Sequence, residues 1–191
     1  GMLLAIFSTI FLYETDGHKL GNYGWIFGGL AIGSLIGTMA ARKVKMTSMP
    51  EMVSLFNGTG GACAALISVV EFNHIYRANL AITGAYLSQV ITPAHFLTIT
   101  AGAIIGSVSF AGSMVAWGKL SGKIKDFSFK GQHIVNLVIF FGVLATAVYT
   151  FQLLVDKTAL PFSLTVLLAL VYGIFFVLPI GGADMPVVTS L

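Results

Sequence analysis

Three neutral polar side chains, Asn57, Ser113 and Asn136, each interrupt a long apolar stretch. In hydrocarbon surroundings a polar side chain is the informative residue, because it must find a partner or line a water-filled path. Amides and hydroxyls both donate and accept hydrogen bonds. Neither titrates near neutral pH, so they can orient water or relay a proton through it without storing one. The plainer alternative makes Asn57 interhelical glue, with Ser107 and Ser109 bonding back to their own helix. Asp184, between Gly181-Gly182-Ala183 and Met185-Pro186, also has two readings. It is the N-cap of a helix starting there, or a carboxylate at an inner mouth that senses or hands on protons.

Other chemistry finds no foothold. Cys63 is the single cysteine, which leaves no disulfide framework and no Cys-based metal site. No Gly-x-Gly-x-x-Gly follows a strand, so the chain holds no dinucleotide fold. Metal-ligand clusters and nucleophile constellations are absent as well. Catalytic, cofactor-binding and metal residues are therefore expected to lie elsewhere.

The elements that must position these side chains are long and apolar. Hydrophobic residues make up 57% of the 191 residues and charged ones 9%, against roughly 25% charged in a soluble domain. Mean hydropathy is +0.93. The spacing predicts an all-α polytopic transmembrane helix bundle, with spans over Tyr23–Ala41, Met49–Val70, Ala94–Gly118, His133–Val155 and Leu160–Ile180. These are about five complete spans. Gly1–Tyr13 and a stub from Met185 read as partial helices, so 1–191 reads as one membrane domain cut at both ends. Glu71 to Arg77 reads as a break, and Ala78–Ile91 as an interfacial helix or part of a span.

The basic residues set an orientation. Arg42, Lys43, Lys45, Lys119, Lys123, Lys125 and Lys130 share one side, and Lys19, Arg77 and Lys157 the other. The first set is expected on the cytoplasmic or matrix side. Basic residues grouped this way mark membrane topology, and no nucleic-acid partner is implied. At about 1.5 Å per residue, Asn57 lies about 10 Å above the inner start of its helix. Ser113 is about 9 Å from Lys119, and Asn136 about 5–7 Å in. The three share a depth in the inner half of the membrane.

Helix starts and packing faces are marked too. Ser48-Met49-Pro50-Glu51 is a capping box, and Thr92-Pro93 opens the next span. Gly29, Gly33 and Gly37, and again Gly102 and Gly106, recur every four residues, which lets a neighbouring helix come close. Ser48–Leu55 aligns with Asp184–Leu191 at an offset of 136 residues with four of eight identical, which suggests a parallel internal repeat.

Two stretches, Lys45-Met-Thr-Ser-Met-Pro-Glu-Met-Val-Ser-Leu-Phe-Asn-Gly58 and Gly181-Gly-Ala-Asp-Met-Pro-Val-Val188, resemble the membrane part of the β subunit of proton-translocating NAD(P) transhydrogenase. Ala111 to Ile124 resembles a third family block in the same order, and the likeness runs from Gly1 to Leu191. It implies a redox-coupled proton pump, enzymatic only as a complete complex. Hydride would pass between NAD(H) and NADP(H), held by soluble domains outside this chain, while protons cross here. The partners implied are the lipid bilayer, the α-subunit membrane helices, the soluble NAD(H) and NADP(H) domains and a second copy of the complex. The site would be the bacterial inner membrane, with the mitochondrial inner membrane as the second choice. Ser113 falls on the family's functional serine, and Asp184 on its conformationally important aspartate. Where the family carries a proton-path histidine this chain has Asn57, so the titratable group would come from a partner helix. The readings from other classes are a secondary transporter or ion channel without redox chemistry, and a non-catalytic membrane scaffold.

Overall fold

Glycines decide which helices of this bundle can touch. The structure, a computed structural model, describes residues 4, 6, 8, 14–15, 18–19, 22–45, 48–81, 93–153 and 160–181. Five helices are present among them: α1 (Tyr23–Lys43), α2 (Met49–Ala81), α3 (Pro93–Leu120), α4 (Gln132–Leu153) and α5 (Leu160–Val177). Most of the expected first partial helix, all of the stub from Met185 and Asp184 itself lie outside the described residues. The second half of the proposed repeat lies outside them too.

The chain divides into two units, Gly1–Met46 and Thr47–Leu191. In the first, Glu14–Thr15 pairs antiparallel with His18–Lys19 ahead of α1. Helix α1 buries none of its residues and ends on Arg42 and Lys43, cations that suit a helix C-terminus. A side chain added at Gly29, Gly33 or Gly37 would meet nothing within 4 Å.

In the second unit, α3 is the centre, with 56% of its apolar stretch buried. Helix α2 lies against it backbone to backbone. A Cβ at Gly106 would stand 2.5 Å from the Ala65 nitrogen and 2.7 Å from the Gly61 oxygen, and one at Gly61 2.7 Å from the Phe110 nitrogen. Such contact is what drives association in lipid, where burying apolar side chains gains little over lipid tails. The expectation for Gly106 holds. On its other side α3 meets α5, where a Cβ at Gly173 would stand 2.6 Å from the Val108 oxygen. Helix α4 packs mainly on α5. The hydroxyls of Thr150 and Thr165 meet across these two at 3.4 Å, and the carbonyls of Thr146 and Pro161 on their own helices are the alternative acceptors for their single protons.

Helix α2 corrects one expectation. It begins at Met49 with Glu51 in its first turn, as the capping box predicts, but runs unbroken for 33 residues through Glu71 to Arg77. At about 1.5 Å per residue it is about 50 Å long, well beyond a ~30 Å hydrocarbon core. The charges tolerate helix there because the end projects past the lipid tails. Apolar positions hold it in place: Phe72 and Ile75 pack with Phe96, Ile99, Ala103 and Phe162, flanked by Val69 and Tyr76. Phe72 and Phe162 stack with ring centres 3.8 Å apart. Spacing of 69, 72 and 76 is one helical face, which the charge cluster hid. Ala78–Ala81 thus continue α2, and residues 82–92 lie outside the described set.

Among the described residues, four helices are long and apolar enough to cross a membrane. Helix α5, with 18 residues, is about 27 Å long, at the short end of what spans a core. Leu66, Ile67, Val70, Ile105, Val138 and Phe141 point outward, the surface a bilayer rather than water solvates. The predicted helix bundle is the fold observed.

Candidate functional site

The start of α2 and the C-terminal ends of α3 and α5 converge on a polar spot inside this apolar bundle. Asn57 on α2 donates from Nδ2 to Ser113 Oγ on α3 at 3.3 Å. One turn earlier, Ser54 donates from Oγ to the Ser113 main-chain oxygen at 2.8 Å. Residues three apart share a helix face, so Ser54 and Asn57 grip one residue of α3 by its carbonyl and its hydroxyl. Gly58 makes this possible: a Cβ there would stand 3.1 Å from Ser113 Cβ. Ser54 and Ser113 are buried, while Asn57 keeps an exposed flank.

That flank opens on a cavity of about 150 Å³ lined by Asn57, Val108, Ser109, Gly112, Ser113, Ala116 and Val177. Its polar wall is Asn57, Ser109 and Ser113, and its opposite wall is Val177 at the end of α5. A cavity with polar partners and room of this kind suits water. Two of the expected residues are thus brought together. The third is not: Asn136 lines a separate cavity of about 280 Å³ with His133, Leu137, Phe140, Tyr172 and Phe176. Its Oδ1 is buried with no hydrogen-bond partner among the described residues. Ser107 Oγ is in the same condition, so the expected back-bond to its own helix is not made there. Ser68 does make such a bond, to the Ala64 carbonyl at 2.9 Å.

Sequence reasoning missed two residues. Ser54 carried a usable signal, its spacing of three from Asn57. Lys119 did not, because a lysine just after an apolar run reads as an interfacial charge. Its side chain is 1% exposed. The ammonium donates to Asp126 Oδ1 at 3.1 Å, to the Ile180 carbonyl at 2.8 Å and to the Leu178 carbonyl. Local structure delivers it there. Helix α3 ends in a Schellman turn, with Gly122 N bonded to the Lys119 oxygen and Lys123 N to the Gly118 oxygen. Gly122 takes the left-handed φ of 71° that this turn requires, and the turn carries the chain round to Asp126.

Removing the Ser54 hydroxyl tests the grip on Ser113. The expected cost of Ser54→Ala is about 1 kcal/mol, the scale of an interhelical hydrogen bond in a membrane protein. It should appear as a fall of a few degrees in the unfolding midpoint of the detergent-solubilised protein. An unchanged midpoint would take the bond out of the packing account.

These features define a class, the polytopic integral membrane proteins with a polar-lined cavity inside a helix bundle. A family model described as "NAD(P) transhydrogenase beta subunit" matches residues 1–191, and the chain belongs to that family. Two curated relatives, from Rhodospirillum rubrum and from a designated strain of that species, are both named "NAD(P) transhydrogenase subunit beta". Each is 33% identical over 193 residues, covering 100% of this chain and 39% of its own length. The chain thus spans about two fifths of the length of the curated relatives it matches. The family expected from the three motif blocks is the family found.

Proposed function

We propose that this chain is the proton-conducting membrane part of a transhydrogenase, in which proton passage is coupled to hydride transfer between NAD(H) and NADP(H). One observation carries the reading: in a β-subunit family chain, two neutral hydrogen-bonding side chains from different helices meet on a cavity within an apolar bundle. Asn57 and Ser113 hold and orient water in that cavity, and the proton moves along the water. Neither group titrates near neutral pH, so the carrier that takes up and releases the proton belongs to a partner, and an α-subunit membrane helix against the exposed flank of Asn57 is the natural source. Asn136, with its unpartnered buried oxygen, holds water at the inner end of α4. Asp184 acts as the inner gate, facing the NADP(H) domain.

The nucleotides are substrates bound by other domains. The other partners in the proposal are the α subunit, the soluble NAD(H) and NADP(H) domains and a second copy of the complex. The proposed setting is the bacterial inner membrane, or else the mitochondrial one, with the lysine- and arginine-rich loops on the inner side.

The test is proton pumping and coupled reverse transhydrogenation by the complete enzyme in vesicles, with Asn57→Leu and Ser113→Ala. Both rates are expected to fall about tenfold or more, the effect of losing one hydrogen bond of ~1.5 kcal/mol at a barrier. Native pumping in both variants would remove the two residues from the route.

A further inference from the structure

A buried cation at the inner end of α3 has no part in the route above. Lys119 is enclosed on all sides, and its ammonium has three hydrogens for three acceptors: Asp126 Oδ1, the Leu178 oxygen and the Ile180 oxygen. All three donors are used, which only the charged amine can do. Two of the acceptors follow the last turn of α5, where helix carbonyls run out of partners and the helix dipole presents its negative end. Gln132, at the start of α4, adds to the same clamp. It donates to the Phe175 carbonyl at 3.2 Å and accepts from the Phe129 nitrogen at 3.3 Å. Two segments, the end of α3 and the start of α4, thus hold the end of α5, and the loop between them braces both through Asp126 and Phe129.

What that end carries is Val177, a wall of the Asn57–Ser113 cavity. Val177 packs with Val115 and Ala116 in a small cluster that Leu120, Leu178 and Ile180 flank. It stands so close to α3 that a Cβ at Gly112 would be 3.0 Å from its methyl. Without Lys119, two carbonyls would be left facing an apolar cluster, which favours the end of α5 swinging out to find water. Val177 would move with it.

We propose that Lys119 is a positioning residue: by capping the carbonyls at the end of α5 it holds Val177 against Gly112 and so fixes the width of the Asn57–Ser113 cavity. This rests on the reading of that cavity as the proton route. Asp126 is the lesser partner, because its carboxylate is 61% exposed and water can stand in for it.

The test uses the complete enzyme in vesicles and reads protons moved per hydride transferred. Lys119→Met, which keeps the apolar stem and loses the cation, is expected to lower that ratio about threefold or more. Lys119→Arg keeps a cation with spare donors and is expected to stay within about threefold of native. A second measurement needs no activity: alkylation of an Ile180→Cys variant in solubilised enzyme, with the exposed Cys63 changed to serine. Adding Lys119→Met is expected to speed labelling about tenfold as the end of α5 opens. A native proton ratio and native labelling in Lys119→Met would overturn the proposal, and so would Lys119→Arg behaving like Lys119→Met. The two readings fail separately. If Ser113→Ala and Asn57→Leu pump normally while labelling still rises in Lys119→Met, the route is wrong and the clamp stands. If those two variants stop pumping while Lys119→Met leaves both readouts native, only the clamp is lost.

Discussion

Gly106→Leu is expected to abolish the assembled protein. The atoms that a side chain at this position meets are main-chain atoms of α2: the Ala65 nitrogen at 2.5 Å, the Gly61 oxygen at 2.7 Å and the Ala64 carbon at 3.1 Å. Main chain inside a helix has no rotamer to change, so α2 would have to move away bodily. Moving it breaks more than one contact. It parts Ser54 and Asn57 from Ser113 and Phe72 from Phe162, because all of these are carried on the same rigid rod. Overpacking a tight core costs about 1–3 kcal/mol where side chains can yield, and the loss here exceeds that because none can. Folded proteins hold only about 5–15 kcal/mol in reserve. The measurement is the yield of monodisperse enzyme after membrane extraction, with Gly106→Ala expected to be reduced and Gly106→Leu to give none. Native yield of Gly106→Leu would mean that α2 and α3 are not packed this way.

How much of this was legible in the sequence depends on which interaction decides the feature. The spans were readable because hydrocarbon excludes charge, so Tyr23, Met49, Pro93, Gln132 and Leu160 open their helices close to where charge and turn residues predicted. The end of α2 was misread for the same reason inverted. Glu71, His74 and Arg77 look like a loop to a rule that equates charge with water, yet a helix long enough to leave the membrane keeps its shape beyond it. The Gly102–Gly106 spacing showed that a face of α3 can be approached, and the contacts of Gly106 with Gly61 and Ala65 show by what. The site divides in the same way. Asn57 and Ser113 were found by polarity and depth, quantities that run along the chain. Asn136 has the right depth but a different cavity, since depth does not fix azimuth around the bundle. Lys119 was invisible as anything but surface charge, because its burial comes from carbonyls about 60 residues away.

Gly112→Leu is expected to give the opposite result to Gly106→Leu: normal assembly and no proton transport. Both glycines are on α3, six residues apart, but Gly112 faces a side chain. A Cβ there meets the Val177 methyl at 3.0 Å, with the Gly173 oxygen next at 3.5 Å. A methyl at the tip of a side chain can rotate or shift by a few tenths of an ångström, so the helices keep their places. The leucine then has one direction open to it, into the cavity of about 150 Å³ between Asn57, Ser113 and Val177. A leucine side chain fills most of that space with hydrocarbon and leaves no room for water beside the amide and hydroxyl. Apolar constrictions in pores shut by dewetting, so the expected effect is a loss of pumping of about a hundredfold at near-native yield. Adding Val177→Ala, which removes two methyl groups from the opposite wall, is expected to recover part of the transport, whereas the same addition to Gly106→Leu recovers nothing. Pumping at the native rate by Gly112→Leu would show that protons cross somewhere other than between α2, α3 and α5.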